Sequence, residues 1–252
     1  MVLGAQLYTL RNFIQNEKDL ERTLRKVQEI GYTTVQLSAL GGGIRPERIR
    51  EICDELGLQI VLTHSDINRI INDTDKLIEE HTIMGCDYIG LGSMPDKYRG
   101  ADWFPFFIED FKEPMKKIAA AGKLFMYHNH NFEFEKQNGI RLIEKMLNAF
   151  TPEEMGITLD TYWVQAGGCD ILQWIDILKD RIPCVHLKDM TVCGMEQRMA
   201  PVLEGNMNFP VIFEALKKTN AKYLLVEQDN CYSSAFECMK TSYDNIAKYG
   251  YK

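Results

Sequence analysis

The sequence lacks the usual marks of a secreted or membrane protein. Its seven cysteines form no C-x-x-C pair and their number is odd, so we expect reduced thiols rather than a disulfide framework. The chain opens without the basic stretch and apolar run of a signal peptide, and no segment has the length and apolarity of a transmembrane helix. We therefore expect a cytoplasmic protein with no membrane partner.

Positive charge is also scarce. Lys and Arg number 29 against 36 Asp and Glu, which gives a net charge of -7 and a pI of about 5.4. Because phosphate binding requires clustered positive charge, this balance argues against a nucleic-acid partner. No Gly-rich phosphate loop follows the first apolar segment, and no G-x-S-x-G motif is present, which argues against a dinucleotide-binding fold and a serine hydrolase.

A recurring pattern of amphipathic helix, short turn and apolar strand fills the 252 residues. The predicted strands are Val2–Leu7, Thr34–Leu37, Gln59–Thr63, Tyr88–Leu91, Leu124–His128, Gly156–Asp160, Cys184–Lys188 and Tyr223–Glu227. The predicted helices are Lys18–Ile30, Pro46–Leu56, Thr74–Met84, Phe104–Ala121, Ile140–Ala149, Ile171–Lys179, Phe209–Lys218 and Ala235–Lys248. Eight such units predict one α/β domain over residues 1–252, a single (β/α)₈ TIM barrel. A homo-oligomeric assembly stays open.

Polar side chains follow four consecutive predicted strands at their carboxyl ends, where barrel enzymes place their active sites. They are His128, His130 and Glu133 after strand five, Asp160 after strand six, His186 and Lys188 on strand seven, and Glu227 on strand eight. Because buried charges are costly unless they are paired or bound to metal, this set predicts a metal centre. Mixed imidazole and carboxylate ligands suit Mn²⁺, Co²⁺, Fe²⁺ or Zn²⁺ better than Ca²⁺.

Each position taken alone also has a non-catalytic explanation. Asp189 and Asp229 could be turn or capping residues. Lys188 could support charge on a substrate oxygen or form a salt bridge with Asp189. His81 falls on a predicted helix, and we expect it at the surface.

Five motifs resemble the sugar phosphate isomerase/epimerase family of the xylose isomerase-like barrel superfamily. They are G-x-QLYTLR (Gly4, Gln6–Arg11), YHNHNFEF (Tyr127–Phe134), LDTYW (Leu159–Trp163), HLKD (His186–Asp189) and VEQD (Val226–Asp229). The resemblance extends over essentially the whole chain. The motifs together are specific for the superfamily, but not for a substrate. The family includes ketose 3-epimerases, hydroxypyruvate isomerase and inosose dehydratase.

The resemblance implies one divalent ion (Mn²⁺, Co²⁺, Zn²⁺ or Mg²⁺) held by Glu, Asp, His and Glu from strands five to eight. Asp160, His186 and Glu227 match the last three of these ligands. The first position carries His128 in an ungapped reading, with Glu133 as the nearby carboxylate that could replace it. Since His128 and His130 share one face of the strand, we predict His128 as ligand, and His130 or Glu133 as acid/base or substrate-binding group.

The expected chemistry and the resemblance together give roles to further residues. The expected catalytic residues are Glu227, Glu133, His130 and Lys188. The expected substrate contacts are His64, Trp163, Arg198 and Gln6. The implied reaction is isomerisation or epimerisation of a small sugar or polyol, through proton removal next to a carbonyl and an enediolate.

Two alternatives stay open. One is a lyase or dehydratase that acts on an inosose or a keto-glycoside, and the other is a barrel that binds carbohydrate without catalysis. The DNA-repair endonuclease of the superfamily needs a His-rich multi-zinc site and a basic face, which five histidines and an acidic pI argue against.

Overall fold

The computed structural model describes all 252 residues, and eight parallel strands close into a barrel. In chain order, β1–β8 are Val2–Gln6, Thr34–Leu37, Gln59–His64, Tyr88–Leu91, Leu124–His128, Met155–Asp160, Cys184–Leu187 and Tyr223–Val226. Neighbours in this order pair with one another, and β1 closes the ring against β8. The predicted (β/α)₈ barrel is therefore confirmed.

The alternation of side chains along each strand decides which residues reach the barrel interior. An apolar cluster within the ring contains Met126, Cys184 and Leu225. Their direct neighbours, such as Tyr127 and Val185, instead join the large core that packs strands against helices. Two positions further along the same inward faces lie His128, His186 and Glu227. The pleat thus directs polar residues into the mouth of the barrel.

The chain forms ten α-helices outside the ring of strands. They are Glu17–Ile30, Pro46–Glu55, Ile67–Asn72, Thr74–Met84, Phe104–Ala120, Leu142–Ala149, Thr161–Ala166, Ile171–Ile177, Phe209–Leu216 and Ala235–Ala247. The eight predicted helices are all present, with ends that differ from the predicted ones by two residues at most. No helix combines the length and apolarity that crossing a bilayer requires.

One helix boundary is set by an unpredicted hairpin. The helix predicted from Ile140 begins at Leu142, because Ile140–Arg141 pairs antiparallel with Lys136–Gln137. The connecting Asn138 and Gly139 both have positive φ, 55° and 84°. Asn-Gly is the dipeptide that this tight turn favours, so the signal was present in the sequence.

Three further elements extend the carboxyl ends of the strands. The short helices Ile67–Asn72 and Thr161–Ala166 follow β3 and β6. After β7 the chain forms an antiparallel hairpin from Asp189–Cys193 and Glu196–Ala200. All three therefore build up the mouth of the barrel rather than its base.

The expected surface position of His81 is wrong. Its side chain is 1% exposed, with Nε2 bonded to Thr63 Oγ1 at 2.8 Å and Nδ1 to the Leu77 carbonyl at 2.7 Å. Burial lowers the pKa of His81 to about 4. A helical position alone did not reveal that this face packs onto β3.

Candidate metal centre

Four buried side chains meet at the mouth of the barrel: His128 of β5, Asp160 of β6, His186 of β7 and Glu227 just after β8. One ligand atom from each lies within 4.8 Å of the others. Ligands about 2.0–2.2 Å from a shared ion lie roughly 3–4 Å apart. The cluster could therefore hold a single metal ion.

The two imidazoles are each fixed through one ring nitrogen. Nδ1 of His128 donates to the carbonyl of Gly92 at 2.8 Å, which leaves the Nε2 lone pair 3.2 Å from Asp160 Oδ2. Nε2 of His186 donates to Gln36 Oε1 at 2.6 Å, which leaves Nδ1 3.0 Å from Glu227 Oε2. An outer hydrogen bond that fixes the tautomer is typical of metal-binding histidine.

The two carboxylates are fixed in the same way. Asp160 Oδ1 accepts the backbone N–H of Trp163 at 3.0 Å and so begins the helix Thr161–Ala166. Glu227 Oε1 accepts from Gln6 Nε2 at 2.9 Å. In both residues the second oxygen stays directed at the cluster.

This arrangement fits a cation. A nitrogen lone pair facing a carboxylate oxygen is repulsive unless a positive charge lies between them. His186 Nδ1 is buried and makes no hydrogen bond, although an unpaired buried polar atom is costly. Each of the four side chains thus has one atom anchored outside the cluster and one atom directed into it, and the second set of atoms converges.

Lys188 contributes an ammonium group to the same cluster. Its Nζ lies 3.0 Å from Asp160 Oδ2, 2.8 Å from Glu227 Oε2 and 3.1 Å from both oxygens of Asp229. Burial opposes the charged lysine, but the three carboxylates outweigh burial and raise the pKa of Lys188. The alternative salt bridge of Lys188 with Asp189 is not formed.

The same ion pairs act on the carboxylates. Burial alone would raise the pKa of Asp160 and Glu227, but Lys188 and the histidines hold both values well below the usual range. Burial opposes a charged His186, but Glu227 and Asp160 raise its pKa. Binding to a metal ion requires neutral imidazoles, and with both neutral, three carboxylates and one ammonium leave a net charge of about -2. A divalent cation would balance that charge.

A cavity of about 560 Å³ opens directly above the cluster. It is lined by His64, His128, His130, Lys188 and Glu227, with polar groups from several loops. A cavity of about 680 Å³ beside residues 168–172 is larger, but it touches none of the four ligand candidates. Proximity to the cluster therefore decides which cavity is the candidate site.

His64, His130 and Trp163 lie around the cluster. His64 bonds to Ser38 Oγ through Nδ1 at 3.2 Å, and its Nε2 has no partner. His130 lies 5.2 Å from Trp163 between ring centroids, and its Nδ1 is also unpaired. Burial lowers the pKa of His130 to about 3, so its imidazole is neutral near pH 7.

Three of the four expected substrate contacts, Trp163, Gln6 and Arg198, are not among the residues that line the cavity. Gln6 is fully buried, and besides holding Glu227 it accepts the N–H of Tyr8 at 2.8 Å. Arg198 lies on the hairpin after β7, paired with Glu196 at 2.6 Å and stacked 4.6 Å from the Tyr232 ring. Gln6 orients a ligand candidate, and Arg198 belongs to the outer rim.

Glu133 does not join the cluster. Its carboxylate accepts from the Tyr127 hydroxyl at 2.6 Å and from the backbone N–H of His130 at 2.8 Å. Tyr127 points outward from β5, so these bonds keep Glu133 behind the strand. The structure brings His128 rather than Glu133 to the other three ligand candidates.

Three residues that contribute to this centre were not among the site residues expected from the sequence. They are Gln36, Asn129, whose Oδ1 accepts the backbone N–H of Asp160 at 3.0 Å, and Asp229. Of the three, Gln36 could have been predicted from the sequence, since a polar side chain within the buried strand TVQL requires a hydrogen-bond partner.

The barrel and its mixed histidine and carboxylate cluster define a class of (β/α)₈ proteins with a candidate metal centre at the carboxyl ends of the strands. The chain belongs to the xylose isomerase-like TIM barrel family, whose model matches residues 24–241. A search of curated proteins finds no match.

Solved structures share the fold at low identity. A sugar phosphate isomerase/epimerase from Parabacteroides distasonis ATCC 8503 aligns at TM-score 0.80 and 24% identity, covering 98% of this chain and 97% of that one. An L-ribulose 3-epimerase aligns at 0.73 and 16%, covering 98% and 94%. The probable 3-DHS dehydratase AsbF from Bacillus anthracis aligns at 0.73 and 14%, covering 98% and 99%.

Proposed function

We propose that this chain is a metal-dependent enzyme that removes a proton next to the carbonyl group of a small sugar or polyol. The observation that carries the proposal is the convergence of one free donor atom each from His128, Asp160, His186 and Glu227. The names of the structural neighbours, two epimerases and a dehydratase among them, agree with such chemistry.

The cavity suits a compact polyhydroxy compound. Its volume of about 560 Å³ falls in the range of small-molecule sites. The unpaired nitrogens of His64 and His130 can each bond to a hydroxyl or carbonyl oxygen. We expect Trp163 to place its ring against the C–H face of the substrate.

Chemistry at this site requires stabilisation of charge and transfer of a proton. A bound divalent ion supplies a Lewis acid for the carbonyl oxygen. The neutral imidazole of His130 and the carboxylate of Glu227 are the candidates for accepting a proton from carbon. The Lys188 ammonium can donate a hydrogen bond to an oxygen on which negative charge develops.

The placement of Glu133 favours a second candidate, a lyase or dehydratase. The two-glutamate shuttle implied by the resemblance needs a carboxylate on each side of the substrate. Here His128 occupies the strand-five position, and Glu133 is held behind it by Tyr127. Elimination of a β-hydroxyl or a glycoside needs a base for the proton on carbon and an acid for the leaving oxygen. His130 can serve as both, because the imidazolium formed when it takes the proton from carbon can return that proton to the leaving oxygen.

Incubation in D₂O separates the two reactions. A panel of ketoses, inososes and keto-glycosides is offered to the Mn²⁺-loaded protein. An epimerase or isomerase yields an isomer of the substrate in which deuterium replaces the exchanged hydrogen. A lyase yields a product that has lost water or an alcohol. No turnover and no proton exchange with any compound would support the non-catalytic alternative.

The first prediction concerns the metal. We expect wild type to bind one Mn²⁺ per chain and Asp160→Asn to lose this binding, because the amide removes a negative ligand yet can still cap its helix. Asp170→Asn is the matched control, since Asp170 caps the helix Ile171–Ile177 in the same manner away from the cluster. Equal Mn²⁺ content in all three proteins by elemental analysis would contradict the proposed centre.

A further inference from the structure

The Lys188 ammonium contacts two of the four candidate metal ligands. Its side chain is 1% exposed, and its Nζ contacts Asp160 Oδ2 and Glu227 Oε2 at 3.0 and 2.8 Å. These are the two carboxylate oxygens left free for a metal ion. A buried ammonium and a divalent ion would therefore share the same partners.

Asp229 offers the ammonium an alternative. Both of its oxygens lie 3.1 Å from Nζ, and its side chain is 21% exposed at the edge of the cavity. Asp229 is not among the four converging ligand candidates. A lysine that keeps this two-oxygen contact can give up the other two without becoming an unpaired buried charge.

We propose that Lys188 is the internal counter-ion of the metal-free centre, and that it gives up Asp160 and Glu227 and keeps only Asp229 when a divalent ion binds. Without metal, the ammonium keeps Asp160 and Glu227 from facing each other as uncompensated buried charges. With metal, Asp229 acts as a positioning residue that holds the displaced lysine. This inference rests on the proposed metal-dependent function.

The proposal predicts opposite effects for the two halves of one ion pair. Lys188→Met removes the competing cation, so Mn²⁺ affinity should rise by about tenfold, within the usual range of coupling between two binding events. Asp229→Asn leaves the lysine no alternative partner, so Mn²⁺ affinity should fall by a similar factor. Titration calorimetry with MnCl₂ on the chelator-stripped protein measures both.

The double variant Lys188→Met/Asp229→Asn distinguishes displacement of the lysine from a direct electrostatic effect of Asp229 on the metal ion. If Asp229 acts by receiving Lys188, most of the effect of Asp229→Asn should vanish in the Lys188→Met background. If Asp229 acts on the metal only through its charge, the loss of affinity should persist there. The second outcome would overturn the proposal.

Stability of the metal-free protein gives an independent readout. In EDTA, Lys188→Met should melt at a lower temperature than wild type, because two buried carboxylates lose their cation. MnCl₂ should abolish this difference in melting temperature. Lys123→Met is the control: Lys123 is 7% exposed and bonds to the Cys86 carbonyl far from the cluster. Its loss of stability should be the same with and without Mn²⁺.

The two proposals fail differently. If wild type binds Mn²⁺ but Lys188→Met and Asp229→Asn change the Mn²⁺ affinity in the same direction, only the role of Lys188 is overturned. The same holds if Lys188→Met melts at the wild-type temperature in EDTA. Absence of Mn²⁺ binding in wild type and all variants would overturn the metal-dependent function and the displacement of Lys188 together.

Discussion

Glu133 is a buried acid with a structural task. Its carboxylate joins the Tyr127 hydroxyl to the backbone of His130 and so fixes the chain directly after β5. Burial raises the pKa of Glu133 to about 7, against hydrogen bonds that lower it. The folded state therefore holds this proton at pH values where an unfolded glutamate, with a pKa near 4.5, has lost it.

The raised pKa gives a pH-dependent stability. Between about pH 5 and about pH 8 the folded state binds more protons at Glu133 than the unfolded state, so the free energy of unfolding should fall as pH rises. Relative to Glu133→Gln, wild type should lose about 2 kcal/mol over this range, since one pKa unit is about 1.4 kcal/mol. Denaturant unfolding of both proteins at several pH values measures it.

The control for that experiment is Glu135→Gln, which removes one negative charge at an exposed position of the same loop. Parallel pH profiles for wild type and Glu133→Gln would show that the carboxyl group titrates at its ordinary pKa. The prediction would then be wrong, and Glu133 would not be held in its buried contacts.

Residues at strand ends could be predicted from the sequence, and their anchors could not. His128, Asp160, His186 and Glu227 end apolar segments, and the period of two then brings them to one side. The orientation of their rings and oxygens depends on Gln36, Gly92 and Gln6, which are distant in sequence, so the sequence does not show which ligand candidate each of them contacts. For the same reason, the sequence did not show that Lys188 pairs with Asp229 and not with Asp189.

Among the elements, the hairpin after β7 depends on one carboxylate. Asp189 is fully buried and accepts backbone N–H groups from Met190, Leu203, Gly205 and Met207 at 2.7–3.2 Å. These bonds tie the start of the hairpin to the segment that follows it. The segment DMTVCGMEQRMA was not predicted as a hairpin because its alternation is weak and its outer residues are exposed.

Asp189→Ala should release this segment. Each buried N–H that loses its acceptor costs about 1–3 kcal/mol unless water replaces it, so we expect the free energy of unfolding to fall by roughly 3 kcal/mol. Limited proteolysis should then cut within residues 190–207. Asp189→Asn keeps one carbonyl acceptor and should show a smaller loss, and proteolysis of Asp189→Ala at the wild-type rate would contradict the assignment.

On the scale of the whole molecule, the candidate centre exists only once the barrel has closed. Gln6 belongs to β1, Gln36 to β2, and the Gly92 carbonyl follows β4, while the four ligand candidates come from β5 to β8. Residues far apart in the chain therefore reach one point through the ring, rather than through any local motif. The pairing of β1 with β8 and β2, the seam that closes the ring, is therefore needed to order the centre.

Gly4 lies at that seam, where β1 pairs with β2 on one side and β8 on the other. A Cβ at this position would lie 2.6 Å from Leu225 Cδ2 and 3.0 Å from the Thr34 carbonyl oxygen. Since overpacking a core typically costs about 1–3 kcal/mol, Gly4→Ala should lower the free energy of unfolding by that amount. Gly42→Ala, with no atom within 4 Å of the new methyl, is the matched control. Denaturant unfolding compares them, and equal stability would mean that the seam is not tightly packed around Gly4.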